Sequence, residues 1–85
     1  MKRAEVTYGQ LDKVLRALGF SCRVFKGDPA TRMYDHKETG ASILVPDLPE
    51  NEQVLEFHLV TARMTLNEFG IADPTTFAAK LQKAG

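Results

Sequence analysis

The stretch from Lys26 to Pro46 constrains the fold more than any other part of the chain. Gly27, Asp28 and Pro29 each favour a turn, for different backbone reasons. Arg32 to His36 reads as extended chain, with large side chains alternating between two faces. Lys37 to Gly40 closes a hairpin, and Gly40 supplies the positive φ that such loops need. Ala41 to Val45 is a short run rich in β-branched residues. Pro46 ends it, because proline cannot continue a central strand. The remaining elements read as built around this hairpin.

Upstream, Val6 to Gly19 carries a helix signal. Thr7-Tyr8-Gly9-Gln10 has the spacing of a capping box, and Val6 and Leu11 occupy the two positions of a hydrophobic staple. Leu11, Val14, Leu15 and Leu18 follow one helical face. Gly19 suits the left-handed residue past a helix end. From Phe20 to Phe25, apolar Phe20, Cys22 and Val24 alternate with Ser21, Arg23 and Phe25, the period of a half-buried strand. Cys22 then reads as a small core residue.

Downstream, Asp47 to Gln53 reads as a polar loop containing Pro49. From Val54 to Phe69 the period is helical, with Leu55, Leu59, Ala62, Leu66 and Phe69 on one stripe and Gly70 as terminator. Phe57, Val60 and Met64 lie on roughly the opposite side. Either the tail of the chain covers them or they present a surface to a protein partner. Asp73 and Pro74 start a last short helix, on which Phe77 and Leu81 share a face. The order is helix, three strands, helix, short helix. It predicts an α+β domain over residues 1–85, with helices on one face of a three-stranded antiparallel sheet.

With 85 residues the chain is near the lower size limit for one domain. Its single cysteine, Cys22, excludes an internal disulfide and fits a reducing cytoplasm. No apolar run approaches the length of a membrane span, and none follows Lys2 and Arg3 as a signal peptide requires. The formal net charge is zero. Residues 1–37 nevertheless carry eight basic and four acidic side chains, and residues 38–85 carry three and seven. Such a split can offer an anion a basic face despite the neutral sum.

Three segments together resemble the HicA (YcfA-like) proteins. They are the helix from Thr7 to Phe20, the hairpin ending in Ser42-Ile43-Leu44-Val45-Pro46, and the helix ending in Thr65-Leu66-Asn67-Glu68-Phe69-Gly70-Ile71. The resemblance lies in element order and spacing over roughly residues 7–71. It implies a double-stranded-RNA-binding-domain-like fold, and the family is one of small bacterial toxins that cleave messenger RNA and pair with an antitoxin protein. The family signature is Gly-Ser-His entering the second strand, usually with an aromatic residue three positions after the histidine taken as catalytic. Here Thr31 stands three before Tyr34, where that histidine is expected. Gly27-Asp28-Pro29 resembles the glycine end of the motif, with two extra residues before Tyr34. The resemblance thus implies the fold and an RNA association, with the nuclease function lacking its matching residue.

Cleavage of RNA without a metal needs a group that exchanges protons near neutral pH. His36 and His58 are the available imidazoles. His36 shares a strand face with Arg32 and Tyr34, and the row reads either as an RNA contact with His36 as its catalytic group or as an ordinary solvent face of the sheet. His58, at the edge of the long helix stripe, reads as structural. Lys13, Arg16, Arg23, Lys26, Arg32 and Tyr34 are the candidate RNA contacts. Phe57, Val60 and Met64 are the candidate partner contacts, for a dimer or an antitoxin-like protein. The histidines, cysteine and acids show no clustered metal-ligand spacing. The isolated glycines form no phosphate-cradling loop, so no cofactor is expected.

Overall fold

The computed structural model describes residues 3–84. Lys2, counted above among the basic residues, lies outside them, as do Met1 and Gly85. The elements are β1 (Arg3–Thr7), α1 (Tyr8–Ala17), β2 (Ser21–Phe25), β3 (Thr31–His36), β4 (Ala41–Pro46), β5 (Gln53–Leu55), α2 (Glu56–Glu68) and α3 (Pro74–Lys83). The class is α+β, as the sequence predicts. Strands β2, β3 and β4 form an antiparallel sheet in that order. A second ribbon, β1 paired with β5, is absent from the sequence reading.

Helix α1 starts where its capping chemistry requires. Thr7 Oγ1 accepts from the Gln10 backbone N–H at 3.2 Å, and the Gln10 side chain accepts from the Thr7 N–H at 2.9 Å. Both arms of the capping box are therefore made. Gly9, in the first turn, is a close-approach glycine. Its N–H donates to the Glu50 carbonyl at 3.0 Å, and a Cβ there would meet the Glu50 carbonyl oxygen at 3.1 Å. The loop before β5 thus lies directly on the helix start. At the other end Gly19 takes φ +98°, and an added Cβ would meet the His36 imidazole at 3.3 Å. Backbone sign and space both favour glycine there.

The hairpin sets the register of the sheet. His36 faces Ala41, Tyr34 faces Ile43 and Arg32 faces Val45. On the other side Tyr34 faces Cys22 and Arg32 faces Val24. Strand β4 alternates cleanly, with Ala41, Ile43 and Val45 buried. The register then commits Arg32, Tyr34 and His36 to the same inner face. The solvent-face reading of that row is corrected by this pairing.

The helices cover the inner face. Leu11, Val14 and Leu15 of α1, Ala62 and Leu66 of α2, and Phe77 and Leu81 of α3 join one buried cluster with Tyr34, Ile43 and Val45. Burying a side chain the size of Phe77 or Leu66 contributes about 1.5–3 kcal/mol. The tail does not cover the second face of α2: Phe77 and Leu81 enter the core, and Gln10 Nε2 donates to the Leu81 carbonyl at 3.2 Å. Phe57 and Met64 stay 70% and 62% exposed. Val54 and Leu55, predicted as the start of the long helix, belong to β5. Among the described residues no helix is long and apolar enough to cross a membrane.

Thr7→Ala removes one arm of the capping box and is expected to destabilise the fold by about 1 kcal/mol. For a domain of this size that corresponds to a melting point lower by about 4–8 °C. Thermal denaturation followed by circular dichroism measures it, with Thr7→Ser expected to restore most of the loss.

Candidate functional site

The middle strand places three polar side chains in the core, and each has its own partners. The Tyr34 hydroxyl donates to Asp12 Oδ1 at 2.6 Å. Arg32 donates to Asp47 Oδ1 at 2.8 Å and reaches Asp12 Oδ1 at 3.6 Å. Its Nε is buried without a hydrogen-bond partner. Burial raises the Tyr34 pKa above its ordinary value, and the bond to Asp12 raises it further against the opposing pull of Arg32. Tyr34 therefore remains a neutral donor in the physiological range. Arg32 and Tyr34, both proposed as RNA contacts, are instead the links that hold α1 to the sheet.

His36 is equally committed. Its Nε2 lies 3.1 Å from the Leu18 carbonyl, and its Nδ1 lies 2.9 Å from Thr39 Oγ1. The carbonyl can only accept, so Nε2 carries a proton toward it, and in the neutral ring Nδ1 accepts from the hydroxyl. The ring also packs against Phe20 at 4.9 Å between centroids. A buried imidazole with both nitrogens occupied has no lone pair to offer a substrate. The geometry places His36, expected as the catalytic group of an exposed row, in a buried position that closes the hairpin under the end of α1.

His58 sits in the first turns of α2. The Tyr8 hydroxyl lies 3.3 Å from its Nδ1 and accepts from the Leu55 N–H at 3.5 Å. Donation from Tyr8 to Nδ1 leaves the His58 proton on Nε2. His58 also borders a shallow depression of about 350 Å³ with Pro29, Thr31, Leu44, Val45 and Pro46. Thr31 and His58 thus meet at one place, which the sequence could not show. Neither a cationic Lys or Arg nor a carboxylate is among these lining residues.

The proposed basic contacts divide into two groups. Arg16 pairs with Asp12 at 3.0 Å and Arg23 with Asp35 at 2.9 Å, and Arg32 is held as described. These pairs neutralise the positive margin expected along the sheet. Lys26 is exposed after β2. Lys13 is different. It lines a groove of about 300 Å³ between α1 and α3 together with Lys80, Lys83, Val14, Ala17 and Ala84. None of these six residues is acidic. On its other side Lys13 borders a second groove that contains Glu50. Sequence reasoning missed Lys80 and Lys83 because they fall in the acidic half of the chain. Their spacing of three residues on the last helix, together with Lys13 on the first, was the signal.

The partner candidates remain at the surface. Phe57 and Met64 are well exposed, Val60 is half-buried, and Phe57 packs edge-on to His58 at 5.6 Å between centroids. Cys22 is half-buried against the core. Among the described residues no group of three or more His, Cys, Asp or Glu side chains could hold a metal ion. Neither a protein-family model, nor a curated protein, nor a solved structure matches this chain.

Burial lowers the His58 pKa below the ordinary histidine value. The unfolded chain then takes up a proton that the folded chain resists. Stability from this residue is complete above about pH 6.5 and is lost as pH falls toward the lower folded value. His58→Gln is expected to flatten the decline in melting temperature between about pH 7 and pH 5. Melting curves of the two proteins across that range are the measurement, and an identical slope refutes the assignment.

Proposed function

We propose that this chain is a HicA-like module with a double-stranded-RNA-binding-domain-like sheet and helices, and that it binds RNA without cleaving it. The groove formed by Lys13, Lys80 and Lys83 carries the reading. Three ammonium groups around an apolar floor suit a phosphodiester backbone, which needs cations and no base-specific fork. Lysine supplies point charge there, whereas Arg16, Arg23 and Arg32, better suited to bidentate phosphate contact, are held by carboxylates. The absence of cleavage is supported by the state of His36, whose two ring nitrogens are both engaged.

Fluorescence anisotropy with a labelled RNA hairpin tests the reading. Neutralising about three phosphates implies a loss of affinity of about 20- to 40-fold between ~50 and ~200 mM salt. The combined variant Lys13→Gln, Lys80→Gln, Lys83→Gln is expected to abolish binding while leaving the melting temperature within a few degrees. The RNA is expected to stay intact throughout. Salt-independent affinity, or binding unchanged in the triple variant, overturns the phosphate reading. Cleavage by the purified chain overturns the non-catalytic part.

The exposure of Phe57 and Met64 favours a second reading, a scaffold that holds a small antitoxin-like protein through α2. An exposed aromatic beside a flexible apolar side chain is the composition of a protein-binding anchor. Calorimetry with the product of an adjacent reading frame tests it. Phe57→Ser with Met64→Ser is expected to weaken that complex at least tenfold without lowering the melting temperature, and unaltered affinity excludes this face.

A further inference from the structure

Strand β2 is the unprotected edge of the sheet. It ends the order β2-β3-β4, so among the described residues no strand pairs with the outer side of Ser21 to Phe25. Val24 and Phe25 are 49% and 47% exposed. Natural edges are usually blunted by lysine, proline, a bulge or an inward-pointing charge. None of the first three falls within β2, which pairs with β3 in continuous register. Its single charge, Arg23, lies on the outer face with Asp35 at 2.9 Å and does not point inward. The opposite edge, β4, ends in Pro46, whose nitrogen donates nothing to a ladder.

We propose that β2 pairs antiparallel with β2 of a second copy of this chain, about a two-fold axis at Val24, to give a continuous six-stranded sheet. The side chains select both the occupant and the register. With the axis at Arg23, two guanidinium groups face each other across the strands, an unfavourable like-charge pair. With the axis at Val24, Val24 faces its own copy, and each Arg23 faces the partner's Phe25. Arg23 already lies over the Phe25 ring of its own strand, 5.6 Å from the centroid. The pairing therefore sets each guanidinium between two aromatic rings, a favourable cation–π arrangement. The strand is complementary to itself at this register, as an isologous interface requires. The inference is independent of the RNA reading, since it uses none of the three lysines of the groove.

Sedimentation equilibrium over a wide concentration range, joined to disulfide trapping, tests the proposal. The native chain is expected to show a reversible monomer–dimer equilibrium. Val24→Lys places a charge at the centre of the pairing and is expected to raise the dissociation constant at least tenfold. In a Cys22→Ser background, Val24→Cys is expected to form a disulfide-linked dimer on mild oxidation, because facing Cα atoms in an antiparallel pair lie within disulfide reach. Leu44→Cys on β4, in the same background, is expected to form no disulfide-linked dimer. A chain that stays monomeric at every concentration overturns the proposal. Trapping through Leu44→Cys as readily as through Val24→Cys also overturns it. Melting curves establish that each variant is folded, and Val24, being half exposed, tolerates both substitutions.

Discussion

The bond from the Tyr34 hydroxyl to Asp12 is the contact on which the rest of the arrangement depends. Tyr34 stands at the centre of the middle strand, faces Cys22 and Ile43, and is almost wholly buried. A phenol in that position costs free energy unless its hydroxyl finds a partner. Asp12 provides one from α1, and the same carboxylate meets Arg16 on its own helix and Arg32 on β3. Helix α1 can therefore sit over the sheet at only one height and rotation. An apolar residue at either position would allow sliding, whereas a directional network penalises every misplacement.

That inward row determines what the molecule can do. A side chain that secures packing is not available for chemistry, and Arg32, Tyr34 and His36 are all engaged in this way. The carboxylates that meet Arg32 and Tyr34, Asp12 and Asp47, with Asp35 on the outer face, also cancel the positive charge of the sheet margin. The surfaces left uncommitted lie at the periphery: the lysine groove between α1 and α3, the exposed side of α2, and the free edge of β2. None of them shares a residue with the inner network. Substitutions at these surfaces should therefore be separable from folding, which is the condition for reading a binding effect cleanly.

Much of this was legible in the sequence. The capping box, the hairpin turn and the start of α3 at Asp73-Pro74 are local rules of backbone chemistry, and each holds. The alternation that put Arg32, Tyr34 and His36 on one face also holds. Which side that face took was misread, because three polar residues suggested water. The deciding information lay in the next strand. Ala41, Ile43 and Val45 point inward by composition, and a four-residue turn from Lys37 to Gly40 makes His36 face Ala41. The ribbon β1–β5 was not legible, since a three-residue strand is too short to show a period and its partner lies about fifty positions away in the chain. Its consequence is visible only at Gly9, which the approach of Glu50 keeps free of a side chain.

Charge shows the same limit most clearly. Summed along the chain, Lys80 and Lys83 belong to the acidic half and Lys13 to the basic half. Folding brings the three around one groove, while it brings Asp12, Asp35 and Asp47 to the arginines. Screening restricts electrostatic influence to about 8–10 Å at physiological ionic strength. An anion in the groove therefore meets these three lysines first, with no acidic residue among its lining. A net charge of zero does not argue against binding a polyanion when the neutral total consists of paired charges in one place and clustered cations in another. What matters is where the carboxylates are used. Asp12 and Asp47 serve the inner row, where a half-buried arginine or a buried phenol is costly without a partner, whereas an exposed lysine is not.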